Sequence, residues 1–282
     1  MNPKKLLSLA LALTMGLSLT ACGGGKAPSA SPSEAVGSAA PAESAAGSSD
    51  LAYVKDKGVL VVGITEFEPM DYQDKDGSWI GFDADMARAF AGSLGVECRF
   101  QVIDWDNKVL ELDGKNIDVV WNGMTLTDEV TSAMACSNAY CNNAQVVIVP
   151  SARAADYQSV DSVKDLDFAV EAGSAGKAEV EALGASYTEV QDQATALLEV
   201  SSGTADAAVI DSLMAAAMVG EGTSYADLTY TVGLNSEEYG VGFRKGSDLA
   251  AALNEFFQTA CADGSMQKTA KTYGVQAALI EQ

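Results

Sequence analysis

The sequence predicts an α/β protein of two similar lobes with a cleft between them. Three observations point that way. β-rich runs alternate with helical periodicity, a helix–turn–strand unit recurs without a gap, and the first fifty residues read as an export signal and tether rather than fold.

Lys4 and Lys5 precede an apolar run over 6–19, followed at once by Leu19-Thr20-Ala21-Cys22. A basic start, a short apolar stretch and small residues at the cut site make a secretory signal, too short to span a bilayer. A Cys directly after Leu-Thr-Ala resembles the bacterial lipobox, whose thiol is lipidated and becomes the new N-terminus. The competing reading is an ordinary export signal with an incidental Cys. Residues 1–21 are therefore expected to be a lipoprotein signal peptide and Cys22 the lipidation site. Residues 22–50 are almost all Gly, Ala, Ser and Pro, which cannot bury enough apolar surface to order, so they are expected to be a flexible tether.

From residue 51 onward strands are expected at 59–64, 98–103, 117–122, 145–149, 168–171, 207–210 and 239–243. A helix is expected at 83–94, with Met86, Phe90 and Leu94 on one face and Gly95 in the left-handed closing position. Strands alternating with helices imply largely parallel sheets. Apolar residues make up 48% of the chain, ample for a core, and a net charge of −22 argues against nucleic acid. Histidine is absent, which removes Ser-His-Asp and Cys-His catalysis and most zinc sites. Cys98, Cys136, Cys141 and Cys261 contain no CxxC pair, so a metal site is not expected. Disulfides and buried thiols both stay open.

The recurring unit sharpens the picture. Val109-Leu110-Glu111-Leu112 followed by Asp118-Val119-Val120 lines up on Leu197-Leu198-Glu199-Val200 followed by Asp206-Ala207-Ala208. Coincidence is the alternative, since helix–turn–strand units recur in α/β proteins. Taken as a duplication, it puts Gly123 and Asp211 just beyond two equivalent strands. Ligands in open sheets bind there, so the two residues would face each other across a cleft.

Ile80-Gly81-Phe82-Asp83-Ala84-Asp85, Trp105-Asp106 and Gly123-Met124-Thr125-Leu126-Thr127-Asp128-Glu129 resemble the amino-acid-binding class of solute-binding proteins of ABC importers. So do Ser137-Asn138-Ala139-Tyr140, Ala172-Gly173-Ser174, 207–211 and the stretch from Tyr239 to Gly246, in the family's order. The resemblance implies a periplasmic-binding-protein-like fold with two crossover strands, near 145–149 and 239–243, and one central ligand cleft. One lobe would be 51–146 plus 240–282, the other 147–239. It implies a monomeric, lipid-anchored, outward-facing receptor that takes no cofactor, captures a small polar amino acid or related amine by hinge closure, and serves a membrane permease. The alternative on the same fold is a small-carboxylate lyase of the cyclohexadienyl dehydratase kind, for which Glu66, Glu68 or Glu171 could move a proton.

The family position of Asp211 is the ammonium-binding carboxylate; the competing role is an N-cap for the following helix. Gly123 would offer its carbonyl to the ammonium and Thr125 its hydroxyl and amide. Ser174 and Ala175, at a helix start, would offer N–H groups to a carboxylate. Phe67 matches an aromatic stacked over the ligand, or else is core. Asn122 hydrogen-bonds both ways and implies a polar ligand side chain, while Trp121 beside it is either ligand-selecting or lobe core. Val130 stands where the family usually has a carboxylate-clamping Arg. Lys177 or Arg153 would substitute, backbone donors would suffice, or the solute lacks a free carboxylate. Glu66 and Glu68 favour a cationic or amine-bearing solute.

Overall fold

A computed structural model describes residues 49–282. The expected signal peptide, Cys22 and nearly all of the expected tether lie outside the described residues. The tether's end needs correcting. Asp50–Lys57 is a helix whose first turn is capped by the Ser49 hydroxyl, and Asp50 is buried against Arg244 at 3.0 Å. Composition misled here, because the capping Ser belongs chemically to the low-complexity run before it.

Two sheets carry the fold. The first runs Glu97–Val102, Val59–Ile64, Val119–Thr125, Glu237–Phe243 and Ala135–Cys136, with Cys141–Asn143 also paired to Glu237–Phe243. The second runs Ser186–Val190, Asp167–Glu171, Ala207–Asp211, Gln145–Pro150 and Leu228–Gly233. Val59–Ile64 is a continuous apolar run because helices cover both faces of its sheet. Phe82–Leu94 packs one face on that sheet and stops at Gly95, where φ is +76° as expected. Among the described residues no helix is long and apolar enough to cross a membrane.

Each sheet is parallel at its core but antiparallel where the chain crosses, so "largely parallel" is only half right. Gln145–Pro150 and Glu237–Phe243 each enter from the opposite lobe and therefore run against their new neighbours. The expected lobe boundaries also shift. Gln145 already lies in the second sheet and Glu237 in the first, which puts the crossings at 144 and 234–236.

The internal repeat is matched in detail. Lys108–Asp113 leads to Val119–Thr125 as Gln193–Ser202 leads to Ala207–Asp211. In the first unit the Asp118 N–H donates to the Val61 carbonyl at 2.8 Å, and the Val61 N–H donates to the Asp118 carboxylate at 2.8 Å. In the second, Asp206 and Asp167 exchange the same two bonds at 2.9 and 3.2 Å. Equivalent aspartates thus clamp equivalent strands. Asp118 is further neutralised by Lys57 at 2.5 Å and Arg244 at 3.5 Å. Cys98, Cys136, Cys141 and Cys261 are free thiols.

Candidate functional site

The carboxyl ends of the strands in both sheets open onto one cavity of about 440 Å³. Its size suits a small solute. Gly123 and Asp211 both line it, one from each lobe, as the duplication implied. Gly123 holds φ +54°, and a Cβ there would meet Phe67 Cε1 at 2.6 Å and Tyr239 Cε2 at 3.1 Å. Only glycine lets the strand pass under those two rings. The Gly123 N–H is taken by Asp83 at 2.7 Å, which turns the backbone and fixes the bend.

Asp211 is 4% exposed. Its Oδ1 accepts hydrogen bonds from Asn143, from Gln145 Nε2 at 2.8 Å and from the Tyr239 hydroxyl at 2.9 Å, and its Oδ2 accepts from Gln193. Although it precedes Ser212–Met218, its side chain makes no capping bond. The N-cap role is therefore set aside. Burial first, and the adjacent Glu237 second, raise its carboxyl to about 7. Oδ2, with Gln193 as its single donor, keeps acceptor capacity.

Phe67 is buried, lines the cavity and meets Tyr239 edge-on at 6.3 Å. Thr125 lines it too, its hydroxyl donating to Glu237 at 2.9 Å. Ser174 caps Ala175–Leu183 by accepting from the Lys177 N–H, so that helix presents its first free N–H groups, Ala175 among them, to the cavity.

Other expectations place differently. Trp121 is fully buried between Phe90 and Phe257 and does not reach the cavity, because alternation along Val119–Thr125 turns it toward the helices. Asn122 lines the wall, but its amide is engaged with Thr65 and Asp71. It braces the loop after Val59–Ile64 and has no donor or acceptor left to select a solute. Glu66 lines a separate hollow of about 200 Å³, and Glu68 lines neither space. Lys177 sits on the rim but pairs with Glu189 at 2.7 Å. Arg153 lies on the surface beside Asp156 and Tyr157.

Sequence reasoning missed Lys108. It is 9% exposed, lies over the Trp105 ring, and donates across the cleft to the Gly173 carbonyl at 3.0 Å. Burial lowers its pKa. The signal was present in Trp105-Asp106, two residues upstream. Glu171, named above only for proton transfer, is buried on the wall with Oε1 lacking a partner. Altogether the wall carries Asp106, Asp128, Glu129, Glu171, Glu181 and Asp211 against Lys108 and Lys177, an acidic excess that favours positively charged guests.

Two lobes joined by crossing strands, with one cavity between them lined by both polar and apolar side chains, define a small-solute receptor. The chain belongs to the bacterial extracellular solute-binding proteins, family 3, whose profile matches residues 60–276. It is 28% identical over 218 residues to the L-cystine-binding protein TcyJ of Escherichia coli K12, covering 76% of this chain and 82% of that one. To the arginine-binding extracellular protein ArtP of Bacillus subtilis 168 it is 28% identical over 238 residues, covering 81% and 91%. Among solved structures it resembles an ABC uptake transporter substrate-binding protein from Streptococcus pneumoniae with bound histidine. There the TM-score is 0.73 and the identity 30%, over 82% of this chain and 98% of that one. An ancestral amino-acid-binding protein, precursor of cyclohexadienyl dehydratase, matches at TM-score 0.73 and 29% identity over 80% and 99%. The named sequence relatives are binding proteins, and this chain is one as well rather than an enzyme.

Proposed function

We propose that this protein captures a small amine-bearing solute, an amino acid in the first instance, between its lobes and delivers it to an ABC permease. Asp211 takes the ammonium. The observation that carries the reading is the placement of that carboxylate: buried, aimed at the cavity, free of a capping role, and braced by Asn143, Gln145, Gln193 and Tyr239. The Gly123 carbonyl and the Thr125 hydroxyl complete the ammonium's surroundings. A carboxylate, where the solute has one, meets the helix start at the Ala175 N–H and the Ser174 hydroxyl, since the Ser174 N–H donates to the Glu171 carbonyl at 3.3 Å and Val130 offers no donor. Closure follows from tighter binding to the closed form. Cys22, lipidated, tethers the body outside the membrane.

A thermal-shift panel of amino acids, amines and short peptides tests this, because a ligand of the folded state raises the melting temperature by mass action. Asp211→Asn should abolish the shift from the best solute while the protein still folds. An undiminished shift in that variant would refute the ammonium assignment. Cys22→Ser should release the protein from the membrane fraction.

A further inference from the structure

We propose that Glu171 takes a second cationic group of the solute, so that the protein selects dibasic solutes over amino acids with a neutral side chain. This rests on the reading that Asp211 holds the first ammonium.

Glu171 ends the strand Asp167–Glu171, which lies parallel to Ala207–Asp211 with Phe168 opposite Ala207 and Ala169 opposite Ala208. Adjacent strands are about 5 Å apart, so the two strand ends bring Glu171 and Asp211 to one rim of the cavity as close neighbours. Their surroundings differ sharply. Asp211 gathers donors from Asn143, Gln145, Gln193 and Tyr239, whereas Glu171, at 3% exposure, keeps Oε1 without any partner. The buried Lys108 nearby acts on it through charge alone and makes no hydrogen bond to it, because its ammonium donates to the carbonyls of Trp105 at 3.2 Å and Gly173 at 3.0 Å.

Oε1 itself is sealed from the cavity that Glu171 lines, so a solute group would meet this carboxylate at Oε2. A buried acid with an unpartnered oxygen is costly unless a ligand group compensates it. The group that completes a carboxylate next to a second carboxylate is a cation. Burial, then the neighbouring Asp211 and Asp192, push the Glu171 carboxyl up to about 8, with Gln193 and Lys108 opposing. Near neutrality the empty site therefore holds a proton that an arriving ammonium or guanidinium displaces.

The full chain and its Glu171→Gln variant are titrated calorimetrically with two matched pairs. L-ornithine is compared with L-norvaline, which lacks only the distal amine, and L-arginine with L-citrulline, which replaces guanidinium by neutral urea. Wild type should prefer at least one cationic member over its match by about thirtyfold or more, the lower end of what an unpaired buried charge costs. Repeating that titration in buffers of different ionisation enthalpy should show net proton release. Glu171→Gln should erase the preference while changing the neutral member by less than about threefold. Equal affinity within both pairs in wild type overturns the proposal without needing the variant, as it would mean one shared ammonium. Retained preference in a folded Glu171→Gln also overturns it, because a neutral amide would then suffice. Should Asp211→Asn leave the cationic solutes unaffected, the underlying ammonium assignment fails instead. No binding by any of the four refutes both.

Discussion

Gly173→Ala should weaken solute binding and the fold through two separate effects, one of which falls only on the closed form. Gly173 follows the second lobe's strand Asp167–Glu171 and holds φ +69°. A Cβ there would meet Asp106 of the first lobe, Oδ1 at 2.6 Å and Cα at 2.7 Å. Turning the Asp106 side chain relieves the first contact but not the second, which is backbone. Reaching an ordinary 3.4 Å separation from 2.7 Å requires the lobes to part by about 0.7 Å there. The left-handed backbone adds roughly 1–2 kcal/mol in open and closed forms alike. The clash, about 1–3 kcal/mol by analogy with overpacked cores, falls only on the closed form. Affinity for L-arginine, or for the best solute of the thermal-shift panel, should therefore drop about 5- to 150-fold. The solute-free melting temperature should fall by roughly 2–8 °C. Calorimetry and scanning calorimetry read the two effects. Small-angle scattering with saturating solute should show a more open body. Adding Asp106→Gly should restore little, since the Cα remains. A Kd within about twofold of wild type would refute the claim that this contact belongs to closure.

Arg244→Met should cost about 3–5 kcal/mol of stability in urea unfolding. It strips Asp50 of its 3.0 Å partner and frees the carbonyls of Leu112 and Ile117, and it leaves Lys57 as the remaining ion-pair partner of Asp118 beside the Val61 N–H. A loss below about 1 kcal/mol would mean the buried cluster is replaceable. Solute-free protein should melt lower as pH rises. Glu171 at about 8, and Asp83 and Asp211 at about 7, all lie above their ordinary values of 4.5, 3.8 and 3.8, mainly through burial. Their contribution is complete below about pH 4 and is lost as pH climbs through 7 to 8. A melting temperature that is flat or rises between pH 5 and 8 would contradict this.

Much of this fold was legible because its signals are local. Runs such as 59–64 and 207–210 are apolar enough to read as buried strands, and Gly95 marks a helix end by its own chemistry. Missed strands such as Ser186–Val190 and Leu228–Gly233 sit at sheet edges, where polar residues blur the pattern. Gly123, Phe67 and Asp211 were readable as cavity-lining residues from position along the chain. Trp121 was not, because which face a strand residue presents depends on register against a partner far away in sequence. Asn122, on the cavity face, was not because its amide is spent on Thr65 and Asp71. Lys108 looked like any surface lysine. Only the approach of Gly173 from the other lobe makes it a buried bridge.

That dependence on the other lobe extends to Asp211 itself. Asn143 and Gln145 lie on either side of the first crossing, and Tyr239 and Glu237 follow the second. Asn143 and Gln145 each donate both to Asp211 and to Glu237, so the carboxylate proposed to take the ammonium shares its donors with an acid on the opposite crossing segment. Asn235 ties in as well, donating to Glu237 at 3.0 Å and accepting from the Gln145 N–H at 2.7 Å. A cation arriving at Asp211 relieves the repulsion between two carboxylates held by common donors. It does so where the chain passes between lobes, so solute charge and lobe orientation are coupled through the same few side chains. A solute that supplied no positive charge would leave that repulsion in place and gain less from closing the hinge.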